Sequence, residues 1–176
     1  MTRSRLLLIG GRSGVGKSTV AAEIHRQLGE RSVHHAWIEG DNLDMAFPVP
    51  WKQGHQLAEA NLAAMWSNYG ALGYTRLIYV NTASVLPHVI ASLTTAMGDD
   101  PIVHGVLLTS SDAVAEQRLV EREVGGGLDH ALGRSRAAAL ELEASTASEV
   151  TRLDTDGRSA TQLAAEIIAV AKWGAP

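Results

Sequence analysis

The most specific chemistry in this sequence sits in Gly11-Arg12-Ser13-Gly14-Val15-Gly16-Lys17-Ser18, followed by Thr19. The pattern G-x-x-x-x-G-K-[ST] is that of a phosphate-binding loop. Its glycines let successive backbone N–H groups turn toward phosphate oxygens, and the N-terminus of a following helix adds partial positive charge. Lys17 has the reach to bridge the β- and γ-phosphates of a nucleotide, and the Ser18 hydroxyl is a ligand for Mg²⁺. Such a loop needs a strand before it and a helix after it. Leu6-Leu7-Leu8-Ile9 supplies the apolar block of a buried parallel strand, and residues 19–28 place Val20, Ile24 and Leu28 on one helical face. Residues 11–19 are therefore the expected cradle for ATP.

A second set of residues could act on whatever the loop holds. Asp41 follows a predicted strand, His35 to Glu39, and so falls at the carboxyl edge of a sheet, where open α/β folds bind ligands. A carboxylate there can take a proton from an acceptor hydroxyl, hold Mg²⁺ together with Ser18, or do both; the alternative is a turn cap. The positional reading treats this strand as the neighbour of the first. Glu39 lies two residues earlier and points the same way, with a buried or ion-paired role as its alternative. Arg118 and Arg122 lie four apart on one helix face, just before Gly125-Gly126-Gly127, and Arg134 and Arg136 follow. Arginines beside a glycine hinge suit a lid that neutralises a transferring phosphoryl group, with Arg122 the catalytic candidate and Arg118 a nucleotide contact. An ordinary charged surface is the competing reading.

Other residues read less sharply. Trp51, Lys52, His55, Asn61, Trp66 and Tyr69 gather between the second and third predicted strands, Trp51 and His55 on a loop and Trp66 in an apolar stripe. Asn81 ends the third strand and cannot supply a negative charge to a metal. His34 and His35 read as a solvated strand entry, because no third ligand has suitable spacing. In Thr155-Asp156-Gly157-Arg158, Asp156 and Gly157 are candidates to pack against an adenine ring, with a plain turn as the alternative.

The elements that must position these groups alternate along the chain. Strands are expected at 6–9, 35–39, 76–81, 102–108 and 150–153. Helices are expected at 19–28, 56–69, 87–97, from Ser111 or Asp112 to about Glu123, at 128–148 and at 160–173. Pro87 suits a helical first turn, and Glu116 can complete a cap with Ser111. This is the pattern of a five-stranded parallel sheet with helices on both faces, an α/β three-layer fold. It fits one domain over residues 1–176, with a lid at about 124–140.

Composition narrows the partners. A net charge of -4 with scattered basic residues argues against nucleic acid. With no cysteine, a disulfide framework and a thiolate site are excluded. No apolar run approaches the roughly 20 residues of a membrane span, and the apolar N-terminal block runs straight into the loop and is not a signal peptide. The expectation is a soluble cytoplasmic protein. Oligomeric state is left open.

The residues resemble known families. The loop followed by Ile38-Glu39-Gly40-Asp41-Asn42 looks like adenylylsulfate kinases, whose second strand ends in a similar Asp-Gly-Asp-Asn. Arg118-Leu119-Val120-Glu121-Arg122 and Leu153-Asp154-Thr155-Asp156-Gly157 are similar to gluconate and shikimate kinases. Chloramphenicol phosphotransferases are similar in carrying an Asp after the second strand as acceptor base. The resemblance implies a P-loop small-molecule kinase using ATP and Mg²⁺ to phosphorylate a hydroxyl of a metabolite or antibiotic. One departure is that Glu59-Ala60-Asn61-Leu62-Ala63-Ala64 stands where adenylylsulfate kinases carry arginines, which favours a neutral or weakly charged acceptor. A nucleoside-monophosphate kinase and a regulatory ATPase without a small acceptor are the alternative readings.

Overall fold

A computed structural model of the chain describes residues 3–122 and 127–174, the side chain of Arg122 excepted. Among the described residues, five strands, β1 (Arg5–Gly10), β2 (Ala36–Glu39), β3 (Arg76–Val80), β4 (Ile102–Thr109) and β5 (Thr151–Asp154), are interleaved with six helices. These are α1 (Lys17–Glu30), α2 (Leu57–Ala71), α3 (Pro87–Met97), α4 (Asp112–Arg122), α5 (Leu128–Ser145) and α6 (Ala160–Val170). All strand pairings are parallel, and the order across the sheet is β2-β3-β1-β4-β5.

This order corrects one expectation: β2 is not the neighbour of β1, because β3 lies between them. Each β–α–β crossover can skip a strand, and nothing local in β1 or β2 records which strand it will pair with. The register nevertheless aligns the strand ends. Val80 is level with both Ile9 and Glu39, so Gly11, Asn81 and Asp41 leave the sheet at one edge.

Alternation along β1 sends Leu7 and Ile9 to one face and Leu6 and Leu8 to the other. The first face packs on α1 and α6 through Val20, Ile24, Leu28 and Ile167, with Trp173 just beyond α6 in the same cluster. The second packs on α2, α3 and α5 through Leu62, Trp66, Leu93 and Leu142. Each fully buried leucine contributes about 1.5–3 kcal/mol, so the central strand is the stiffest support available to the loop it feeds.

Two further expectations change. Glu116 does not complete a cap; it pairs with Arg136 of α5, while Ser111 Oγ accepts from Val114 N–H at 3.4 Å. His35 is buried rather than solvated: Nδ1 meets the Val33 carbonyl at 2.7 Å and Nε2 meets His25 Nδ1 at 2.8 Å. Burial also holds its pKa below the ordinary histidine range. Gly125 and Gly126 of the expected hinge lie outside the described residues, while 128–140 of the expected lid segment form the first part of α5. No described helix is long and apolar enough to cross a membrane.

Candidate active site

The loop is shaped by backbone that only glycine tolerates. Gly14 has φ +86°, and a Cβ there would stand 2.5 Å from the Ala115 carbonyl of α4. The loop thus lies against α4, and a side chain at position 14 would push the two apart. Lys17 and Ser18 open α1, where the helix dipole adds to their electropositive setting. Lys17 Nζ arches back over the loop and donates to the carbonyls of Gly11 at 2.8 Å and Arg12 at 3.1 Å.

Lys17 and Ser18 open onto a cleft of about 520 Å³ whose far wall carries Glu39, Asp41 and Asn81. Asn81 Nδ2 donates to Asp41 Oδ1 at 2.6 Å, and Asn81 Oδ1 accepts from the Ala83 N–H at 2.9 Å. The amide is thereby fixed from the β3 side and orients the carboxylate across the β2–β3 gap. Sequence reasoning saw in Asn81 only a missing charge. The contact joins residues 40 positions apart and has no local signature.

Glu39 faces the cleft beside Ser18. Burial pushes its pKa up from the ordinary carboxylate value, Asp41 adds to the rise, and Ser18 and Lys17 oppose it. Its Oε1 is buried without a hydrogen-bond partner among the described residues. An orphaned carboxylate oxygen next to a hydroxyl and a second carboxylate is a hard oxygen donor set. Gly40 lets the chain pass closely: a Cβ there would stand 2.4 Å from the Tyr79 hydroxyl. Burial pushes Tyr79 up to about 12, so it remains a neutral phenol.

On the opposite wall, Arg118 of α4 lies over the loop. Its Nη1 donates to the Val15 carbonyl at 3.3 Å and to Thr155 Oγ1 at 3.2 Å. A shallow cavity of about 190 Å³ lies beside it, bordered by Gly16, Thr19, Arg118, Thr155 and Leu163. Asp156 is turned elsewhere: it accepts from the Ser111 N–H at 3.1 Å, fastening the loop after β5 to the loop after β4. That contact holds its pKa below the ordinary aspartate value. Gly157, at φ +67°, supplies the tight turn that follows.

Arg12 does not face the cleft. Its side chain is buried, with Nε donating to Ser135 Oγ at 2.9 Å and Nη1 paired with Asp112. Arg134 is exposed on α5 and Arg136 is paired with Glu116, so neither lines the cleft. The Arg122 side chain lies outside the described residues, as do Glu123 to Gly126. Glu121 does line the cleft, a position sequence reasoning did not single out.

A further cavity of about 240 Å³ adjoins Asp41 between α2 and α3, with Gly40, Asp44, Glu59, Tyr79, Asn81 and His88 among its walls. No lysine or arginine lines it. Trp66 is core, its Nε1 donating to Asp99 at 3.1 Å, and Asn61 ties α2 to the Leu43 carbonyl at 2.6 Å. Trp51 and His55 are exposed on the connection between β2 and α2, where Lys52 Nζ lies 5.4 Å from the Trp51 ring centre. No group of three or more His, Asp or Glu among the described residues forms a self-contained metal site.

The adenylylsulphate kinase family model matches residues 3–49, the stretch from β1 through the loop to Asp41 and a few residues beyond. No curated protein matches the chain. Among solved structures, the tunicamycin resistance protein of Deinococcus radiodurans is 22% identical with a TM-score of 0.63, over 95% of each chain. A gluconokinase from Sinorhizobium meliloti is 18% identical with a TM-score of 0.62, covering 97% of this chain and 94% of that one. The Mycobacterium tuberculosis APS kinase, solved with AMPPNP and APS, is 22% identical with a TM-score of 0.60, over 98% and 99%. At these identities the likeness is one of architecture. The chain has the fold of the P-loop small-molecule kinases.

Proposed function

We propose that this protein is an ATP- and Mg²⁺-dependent phosphotransferase that moves the γ-phosphoryl group of ATP to a hydroxyl of a small molecule. The observation that carries the reading is the shared cleft: Lys17 and Ser18 on one wall, Asp41 held by Asn81 on the other. In that reaction the acceptor oxygen forms a bond to the γ-phosphorus, the bond to the β,γ-bridging oxygen breaks, and Asp41 takes the hydroxyl proton. Lys17 neutralises charge on the β- and γ-phosphates, and the backbone of 11–16 cradles them. Ser18, with Asp41 and Glu39, would hold Mg²⁺ alongside the phosphates; the orphaned Glu39 oxygen fits that demand. The ion supplies charge neutralisation on the departing diphosphate.

Arg118 and the cavity at Thr155 fit the adenine end of the nucleotide. Asp156 supports that wall through Ser111, and Gly157 through its turn. Arg122, at the end of α4, and the segment at about 124–140 are proposed as the lid that completes the closed site. The acceptor belongs in the cavity beside Asp41. Its walls carry carboxylates and no lysine or arginine, which favours a neutral or amine-bearing alcohol over a phosphorylated acceptor such as a nucleoside monophosphate.

The test is ADP release coupled to a reporter, with and without hydroxylated candidate acceptors such as neutral sugars and polyols and amine-bearing antibiotics, with gluconate and shikimate as anionic comparisons. A kinase accelerates strongly with its acceptor. A rate that no acceptor changes, with ATP hydrolysed at the same speed throughout, overturns the transfer reading in favour of an ATPase.

A further inference from the structure

A second cavity, of about 340 Å³, lies at the Arg12 end of the phosphate loop, between the end of β4, the middle of α5 and β5. It shares no lining residue with the cleft. Two of its polar walls have unmet demand. Arg12 is only 3% exposed, and its Nη2 has no hydrogen-bond partner among the described residues, although Nε and Nη1 are both engaged. Ser110 Oγ is likewise buried without a partner. A buried guanidinium nitrogen and a buried hydroxyl left unpaired are each destabilising, the charged group more so. Two such groups facing one cavity are therefore a reason to expect an occupant.

The rest of the wall limits what the occupant is. Leu107, Leu108 and Leu142 make one side apolar. Arg152 adds a second guanidinium, which donates to the Thr146 carbonyl at 3.1 Å and has no ion pair among the described residues. A single water, with about 30 Å³ of liquid volume, would leave the leucine side unfilled. Glu143 also lines the wall, and its carboxylate opposes a second negative charge, so a monoanion suits the cavity better than a phosphate dianion.

We propose that this cavity binds a small organic carboxylate, its oxygens accepting from Arg12 Nη2 and Ser110 Oγ and its apolar substituent lying against the leucines. Binding is coupled to the phosphate loop, because Ser135 Oγ accepts from Arg12 Nε and donates to the Ser13 carbonyl at 2.9 Å. A ligand on Arg12 therefore steadies the loop against α5, and by reciprocity a nucleotide on the loop changes affinity for the carboxylate. The site does not depend on which reaction the cleft performs.

The probes are acetate and benzoate, with neutral benzamide as the isosteric control, added to the full chain and followed by thermal shift and calorimetry. Saturable binding of at least one carboxylate is expected, with benzamide at least tenfold weaker. Ser110→Val removes a donor and should weaken carboxylate binding tenfold or more. Should that variant not fold, the smaller change Ser110→Ala decides the matter with the same expected loss. No saturable binding, equal binding of benzamide, or undiminished binding in the deciding variant overturns the proposal. The last outcome would place the anion elsewhere, as on the phosphate loop itself.

Discussion

The two ends of the phosphate loop do opposite things with the same charge. At one end Lys17 lies at the mouth of a cleft, on the first turn of α1, beside Ser18 and opposite two carboxylates. At the other end Arg12 turns away, is buried, and joins α4 and α5 through Asp112 and Ser135. The glycines and the lysine of the motif are tied to phosphate chemistry, whereas the intervening positions are free to anchor the loop to whatever surrounds it. Replacing Arg12 should therefore loosen the frame, and replacing Lys17 should disable the chemistry while leaving the frame intact.

The sharpest test falls on the wall facing Lys17. Asp41→Asn should keep the fold and most ATP affinity while single-turnover transfer drops about 10²–10⁴-fold, the usual cost of removing a general base. Tryptophan fluorescence supplies the binding measurement. Unchanged transfer would reduce Asp41 to a turn cap.

Lys17→Ala should lower turnover by about 10²–10³-fold, the scale of one lost preorganised charge, and weaken ATP binding as well. Melting should be little changed. Near wild-type turnover in the folded variant would break the division between the two ends.

Asn81→Ala leaves Asp41 chemically intact but unoriented. A fall in kcat of about tenfold to a hundredfold with ATP affinity preserved is expected, as for groups that position a reacting residue. An equal loss in both parameters would point to a collapsed strand edge.

The smallest effect belongs to the Arg12 end. The Arg12 guanidinium holds the Asp112 carboxyl below its ordinary range, mainly through their hydrogen bond. A depressed folded value means the stabilisation is present above the unfolded range, near pH 4, and is lost as pH falls through the lowered value. Asp112→Asn should therefore lower Tm by a few degrees at neutral pH and flatten the acid side of the Tm–pH curve, with kcat nearly unchanged. A large loss of kcat with unaltered Tm would show that this end also acts in the chemistry.

Much of this arrangement was legible because it is written locally. The spacing of Val20, Ile24 and Leu28 placed α1, and all three are buried as that spacing requires. Pro87 and Gly98 bracket α3 at its two ends, where their backbone preferences belong. What was not legible is pairwise and distant. Strand order depends on which crossover skips which strand, so the seat of β3 between β1 and β2 leaves no mark in either. The bond between Asn81 and Asp41 follows from that order. Burial of Arg12 and His35 ran against residue-type expectation, because each found partners on other elements.

The packing of α1 against α6 bears on how the chain is made. The helix that begins with Lys17 gains its outer cover from Ile167, Ile168 and Trp173, the last with no exposed surface. Most of the polypeptide must therefore leave the ribosome before the apolar stripe of α1 is shielded. A nascent chain paused after β5 carries the strand before the loop and the loop itself, but a helix with one greasy flank open to solvent. Such an intermediate invites a chaperone, and a fusion attached beside Trp173 risks delaying the step that seals it.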